Sequence, residues 1–233
     1  KYKQEIIDIG NNIIEHCTDD AIRLEAKSRL GFHYCELGEL EKGKAVFDSL
    51  PTVDSCKESM MYWALRGEER KQHNRDMFSL FLSRALWNLW TVAIDNNGNY
   101  DESVKELLKY EKIIELVYDR GDYGDWNLGL AQLYFYKLAP MSAQNQMFDE
   151  MYNYLEKGLG YLKEFAKLPE IYCHTSYLAK GVRDNRYGDT ADSRAPWDII
   201  QEKYLSDKMY DSVRNDARFI SILNELKSIE FSE

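Results

Sequence analysis

Leu30-Gly31-Phe32-His33-Tyr34-Cys35-Glu36-Leu37-Gly38-Glu39-Leu40-Glu41-Lys42-Gly43-Lys44-Ala45-Val46-Phe47-Asp48-Ser49-Leu50-Pro51 is patterned as two helices around one tight turn. Leu30, Tyr34 and Leu37 share a face at steps of four and three. Gly38 offers a position that can turn left-handed, and Leu40, Gly43, Phe47 and Leu50 then resume helical spacing until Pro51. Helices joined this closely pack antiparallel. Gly31 and Gly43, one in each helix, let the two backbones approach, with Tyr34 and Phe47 filling the space beside them. Such a hairpin cannot bury its apolar face alone, so neighbouring helix pairs are expected to stack on it.

The rest of the composition suits that plan. The 233 residues include only four Pro, with many Leu, Tyr, Lys and Glu and no alternating β-branched runs, which predicts an all-α chain. Aromatics at 13% supply large side chains for the layers between helices. A formal net charge of -10 would repel a phosphate backbone, so this chain alone is not expected to bind nucleic acid. The basic run from Arg66 to Arg75 is broken by Glu68 and Glu69 and followed by Asp76, and reads as a solvated helix end. Cys17, Cys35, Cys56 and Cys173 are far apart and form no CxxC pair. With no signal peptide in front, they predict reduced, buried thiols in a cytoplasmic protein. No apolar run approaches the roughly 20 residues of a membrane span, so no membrane partner is expected. The chain opens at Lys1 already in helical pattern, which predicts a fragment of a longer protein.

Taken in order, Tyr2, Ile6, Ile9 and Ile13 form a stripe, widened by Ile7 and Ile14, that predicts an amphipathic helix whose partner lies outside the chain. Thr18-Asp19-Asp20 offers N-caps for the next helix. Ser55 with Glu58 matches a capping box for a helix ending near Lys71, and the segment from Arg75 to Asp95 is apolar on two sides, which predicts burial on both. After the turn cluster Asp95 to Asn99, Asn99 and Glu102 suggest a cap for a helix from Tyr100 to Tyr118. Gly121-Asp122-Tyr123-Gly124 punctuates again, and Asp125 is placed to cap the helix carrying Trp126, Leu130, Leu133 and Tyr134. Met151, Leu155, Gly158, Leu162 and Phe165 mark a long helix, in which Leu155-Glu156-Lys157-Gly158 echoes Leu40-Glu41-Lys42-Gly43. Ile171, Thr175, Leu178 and Val182 predict one more helix, residues 183–195 a loop, and Trp197, Ile200 and Tyr204 the start of the closing helices, with Phe219, Leu223 and Leu226 in the last. One domain over 1–233 is expected, with approximate sub-units 1–75, 76–140 and 141–233.

Candidate chemistry is sparse. His16-Cys17 and Cys173-His174 are adjacent pairs whose side chains would diverge by about 100° on a helix, a poor grip for a metal ion. His174-Thr175-Ser176 would diverge in the same way, and no glycine elbow surrounds any Ser, so Ser176 is not expected to act as an activated nucleophile. Neither GxxxxGK[ST] nor GxGxxG occurs. Acidic pairs fit helix N-termini. No cofactor, metal site or enzymatic activity is expected; a helical enzyme would need His174, Ser176 and a carboxylate to converge.

The Leu-Gly, aromatic, small, aromatic order in the opening hairpin resembles the tetratricopeptide repeat. That resemblance implies a solenoid of stacked antiparallel helix pairs, a right-handed superhelix whose first helices line a concave groove. Glu25, Ser28 and Phe32 would face that groove and touch a peptide or protein ligand. Across nearly the whole chain, Gly121-Asp122-Tyr123-Gly124, Tyr172-Cys173-His174-Thr175-Ser176-Tyr177-Leu178 and Tyr210-Asp211-Ser212-Val213-Arg214-Asn215-Asp216-Ala217-Arg218-Phe219 resemble the C-terminal region of Xre-type helix-turn-helix transcriptional regulators of Gram-positive bacteria. The likeness implies a basic helix-turn-helix module in front, absent from this chain, that contacts DNA. It also implies a homodimer in which the acidic helical part dimerises or senses a signal. No residue set marking peptide binding in related regulators is present. A stand-alone tetratricopeptide-like scaffold for protein partners is the alternative.

Overall fold

The computed structural model describes residues 2–52, 57–94, 99–119, 121–185, 198 and 200–230. Ser55 of the expected capping box, residues 95–98 of the turn cluster, Trp197 and residues 186–195 of the expected loop lie outside them. The chain is mostly helical and divides into two compact units, Lys1–Ala64 and Leu65–Glu233.

The first unit contains α1 (Tyr2–His16), α2 (Asp20–Glu36), α3 (Leu40–Phe47) and α4 (Lys57–Ala64). Asp19 caps α2, its carboxylate accepting the N–H groups of Ala21 and Ile22. Gly38, at φ +79°, turns the chain between α2 and α3. The close approach expected at the two glycines is present. A Cβ on Gly31 would lie 2.5 Å from the Phe47 ring, and one on Gly43 would lie 2.9 Å from the Gly31 carbonyl oxygen. One expectation is corrected here: the partner of α1 is α2. Ile7 is buried and Gly10 sits over Leu30, so the face bearing Ile7, Gly10 and Ile14 is the one that packs. Ile6 and Ile9 of the expected stripe are exposed.

The second unit begins with α5 (Gly67–Ile94) and α6 (Tyr100–Val117), followed by α7 (Trp126–Leu133). α7 runs through a π-helical turn, Tyr134–Leu138, into α8 (Ala139–Gln144), and α9 (Phe148–Ala166) follows. The break expected between Lys71 and Arg75 falls earlier, so α4 ends at Ala64 and α5 runs unbroken for 28 residues. It is buried along Leu86 and Ala93, with Leu82, Leu89 and Trp90 half-buried beside them, while Trp87 (69%) and Val92 (72%) are exposed, so it is covered on one side and not two. Asn99 accepts the Glu102 N–H at the start of α6. The π turn lets Pro140, which has no N–H, stand inside a continuous helical run, with the Ala139 N–H reaching back five residues to the Tyr134 carbonyl. Met151, Leu155, Gly158, Leu162 and Phe165 are all buried as their spacing predicts. Gly158 does the work of Gly43: a Cβ there would lie 2.9 Å from Tyr134 Cβ.

A second correction falls on residues 171–182. In place of a helix, Ile171–Cys173 (β1) pairs antiparallel with Arg183–Asn185 (β2), Cys173 opposite Arg183. The four residues read as an apolar helical stripe are not one, since Ile171 is 60% exposed and Leu178 is exposed too. Gly181, at φ +84°, closes the hairpin and donates to the His174 carbonyl. The described residues are therefore mostly helical and include a small antiparallel sheet. Further on, a π turn (Gln201–Leu205) and a 3-10 turn (Lys208–Tyr210) lead to α10 (Ala217–Lys227), which is capped by Asp216 and buried through Phe219, Ile222 and Leu226. The thiols differ from expectation as well: Cys17 and Cys35 are half-buried and Cys173 is exposed, all three free. Among the described residues no helix is long and apolar enough to cross a membrane.

Candidate functional site

Two of the segments quoted above, 121–124 and 172–178, meet in a buried polar tie. The Asp122 carboxylate, 4% exposed, accepts the Thr175 N–H at 3.1 Å, the Ser176 N–H at 2.7 Å and the Tyr172 hydroxyl at 2.8 Å. His174, 1% exposed, directs Nδ1 to the Asp122 carbonyl oxygen at 2.9 Å and Nε2 to Asp184 Oδ2 at 2.7 Å. Both partners are acceptors, so both ring nitrogens carry protons and the buried ring is an imidazolium. Asp184 Oδ2 also accepts the Asp125 N–H at 2.9 Å. Gly124 makes room for this: its φ is +52°, and a Cβ would lie 2.5 Å from Asp184 Oδ2 and 2.7 Å from His174 Cε1.

Burial works against charge on Asp122, but hydrogen bonds from Ser176, Tyr172 and Thr175 outweigh it and hold the carboxyl below its usual range. Burial likewise opposes charge on His174, and the hydrogen bond and charge of Asp184, with Asp122 behind it, hold the imidazole above its usual value. Asp125 behaves oppositely. It stands where a helix cap was expected yet makes no side-chain cap, its Oδ1 is buried without a partner, and burial plus the Asp184 charge push it up to about 6.

His174, Ser176 and a carboxylate thus converge, which corrects the expectation that they diverge along one helix. The convergence does not build a nucleophile. Neither nitrogen of His174 is left to take a proton from Ser176, whose Oγ accepts the Asp119 N–H at 2.7 Å. Among the described residues no group of three or more His, Cys, Asp or Glu is placed to hold a metal ion.

On the other side of the same loop lies a cleft of about 690 Å³ lined by Glu115 from α6, Tyr123 from the loop, Asn127 from α7, and Tyr161, Glu164 and Leu168 at and beyond α9. Beneath it, Glu111, 6% exposed, accepts from Tyr134 at 2.7 Å, Lys157 at 2.7 Å and the Tyr161 hydroxyl. Burial disfavours its charge, and those three donors win, keeping it ionised below the usual carboxylate range. The Lys157 ammonium also stands 5.0 Å from the Tyr134 ring centroid. Burial first, and then the bond to Glu111, hold the Tyr161 hydroxyl protonated. The Tyr123 and Tyr161 rings in its lining pack on each other, centroids 6.4 Å apart and planes tilted by 54°.

Glu25, Ser28 and Phe32, the expected groove residues, lie together on the exposed face of α2, where Glu25 pairs with Arg29 at 2.6 Å and Phe32 is 57% exposed. They are not among the described residues lining the clefts of the second unit. The cleft residues went unnoticed in the sequence, apart from Gly121 to Gly124, which read as a turn. Compared with known proteins, the chain matches no family model, no curated sequence and no solved structure.

Proposed function

We propose that this chain is the signal-sensing and dimerisation region of a DNA-binding transcriptional regulator, with a tetratricopeptide-like, solenoid character in its helix pairs. The observation that carries the reading is the open cleft over Glu111. It is lined by aromatic rings and polar groups and shares the 121–125 loop with a buried ionic tie, which suits a ligand-binding site. The resemblance of 121–124, 172–178 and 210–219 to Xre-type regulators adds the DNA partner, contacted through a module in front of this chain. Ile6 and Ile9, exposed on α1, offer a surface for a second copy. The region works in the cytoplasm.

A C-terminally tagged gene product, mapped on the chromosome, should occupy discrete promoter-proximal sites; uniform background would count against regulation. Sedimentation should give a dimer that Ile9→Lys converts to monomer. The alternative, a stand-alone scaffold for protein partners with Glu25, Ser28 and Phe32 as contacts, draws on the exposed Phe32, Leu40 and Trp63 of the first unit, and would be favoured by promoter-free occupancy.

A further inference from the structure

The groups presented to the cleft share one property. Glu115 and Glu164 are carboxylates, and Tyr123 and Tyr161 add an aromatic pair. Asn127 is 5% exposed, and its Nδ2 donates to the Gly124 carbonyl oxygen at 3.0 Å. That partner can only accept, so the amide orientation is fixed, and Oδ1 makes no hydrogen bond among the described residues. The free acceptor of this nearly buried side chain is therefore open to the solvent of the cleft that the side chain lines. No lysine or arginine is among the described lining residues. Glu164 pairs only with the exposed Lys167 at 2.6 Å, a contact solvent already weakens, and Glu115 has no ion-pair partner among the described residues. The Tyr161 hydroxyl donates to the Glu111 carboxylate, which makes its ring richer in electrons and a better face for a cation. The molecule uses the same chemistry one layer down, where the Lys157 ammonium is held by Glu111 and the Tyr134 ring.

We infer that the cleft between α6, the 121–125 loop and α9 binds a guanidinium-bearing ligand, set against the tilted Tyr123–Tyr161 pair and hydrogen-bonded to Glu115 and Asn127 Oδ1. Acceptors on several sides beside an aromatic pair suit a flat cation with five N–H donors better than a compact ammonium. The inference rests on the proposal that this cleft is a ligand site, and names the class of ligand.

The test is a chemical-shift titration of the whole chain with N-acetylarginine amide, against N-acetylcitrulline amide as a neutral isostere. Saturable shifts at Tyr123, Asn127 and Tyr161 are expected with the first and not the second. They should weaken about threefold in Glu115→Gln, an exposed position that leaves the fold intact, and about tenfold when Tyr123→Leu is added. Equal response to citrulline, no saturable response, or an arginine response untouched by Glu115→Gln would overturn it. Methylguanidinium and an arginine-containing tripeptide separate the sources: tighter binding of the tripeptide assigns a peptide side chain, and equal affinity assigns a small guanidino compound. Saturable binding without arginine selectivity removes the ligand class and leaves the cleft a ligand site. Missing promoter occupancy removes the regulator and leaves the cleft chemistry standing.

Discussion

Asp122 and Gly124, two residues apart, carry the polar tie by opposite means, one by accepting hydrogen bonds and one by having no side chain. Asp122→Asn keeps the shape but turns one acceptor into a donor facing the N–H groups of Thr175 and Ser176. It leaves the His174 imidazolium with one carboxylate fewer, and a loss of about 3 kcal/mol in urea unfolding is expected. Gly124→Ala combines a strained φ with a methyl group driven into Asp184 and His174, and should cost about 2 kcal/mol or more. Gly121 is the control. It has φ +88° but open space around its Cβ position, so Gly121→Ala should cost only the backbone term of about 1 kcal/mol. Equal losses at the two glycines would show that the contacts with Asp184 and His174 do not matter. The tie could not be read from the sequence, because Asp122 and its partners are about fifty positions apart and nothing local joins them.

Among the elements, those whose signals are local were legible and those satisfied from a distance were not. Gly31 and Gly43 announced the α2–α3 contact through spacing alone, and Gly158 announced its equivalent in α9. Gly43→Ala would push a methyl into Cys35 Sγ and the Gly31 carbonyl, so the hairpin should lose about 1–3 kcal/mol or splay, read by the thermal transition of the first unit. The β1–β2 hairpin misled because its apolar residues fall at helical steps, while the N–H groups that a helix would use are taken by the Asp122 carboxylate. α5 misled differently: its residues are apolar on two sides, and the fold covers only the side bearing Leu86 and Ala93. The cleft was invisible for a third reason, since its walls come from α6, the loop, α7 and α9, and no one element shows more than two of its residues.

For the whole molecule, the ionised tie makes stability depend on pH. Asp125, raised from 3.8 to about 6, destabilises the fold increasingly as pH rises through that range, because the folded state holds its proton longer than the unfolded chain does. His174, raised above 6.5, adds stability that is fully present below that value and is lost as pH climbs through its folded pKa. Asp122 and Glu111, both held low, act the other way, and their contribution disappears only as pH falls below the ordinary carboxylate range. The net expectation is a stability maximum at mildly acidic pH. The most direct measurement is urea unfolding across about pH 5 to pH 8, followed by the fluorescence of Trp126, which lies against Tyr118 and so next to His174. The midpoint should fall steadily with rising pH in the native sequence, and its upper part should flatten in His174→Gln. A midpoint that rises over that range, or that responds identically in His174→Gln, would contradict a buried imidazolium holding the loop that shapes the cleft.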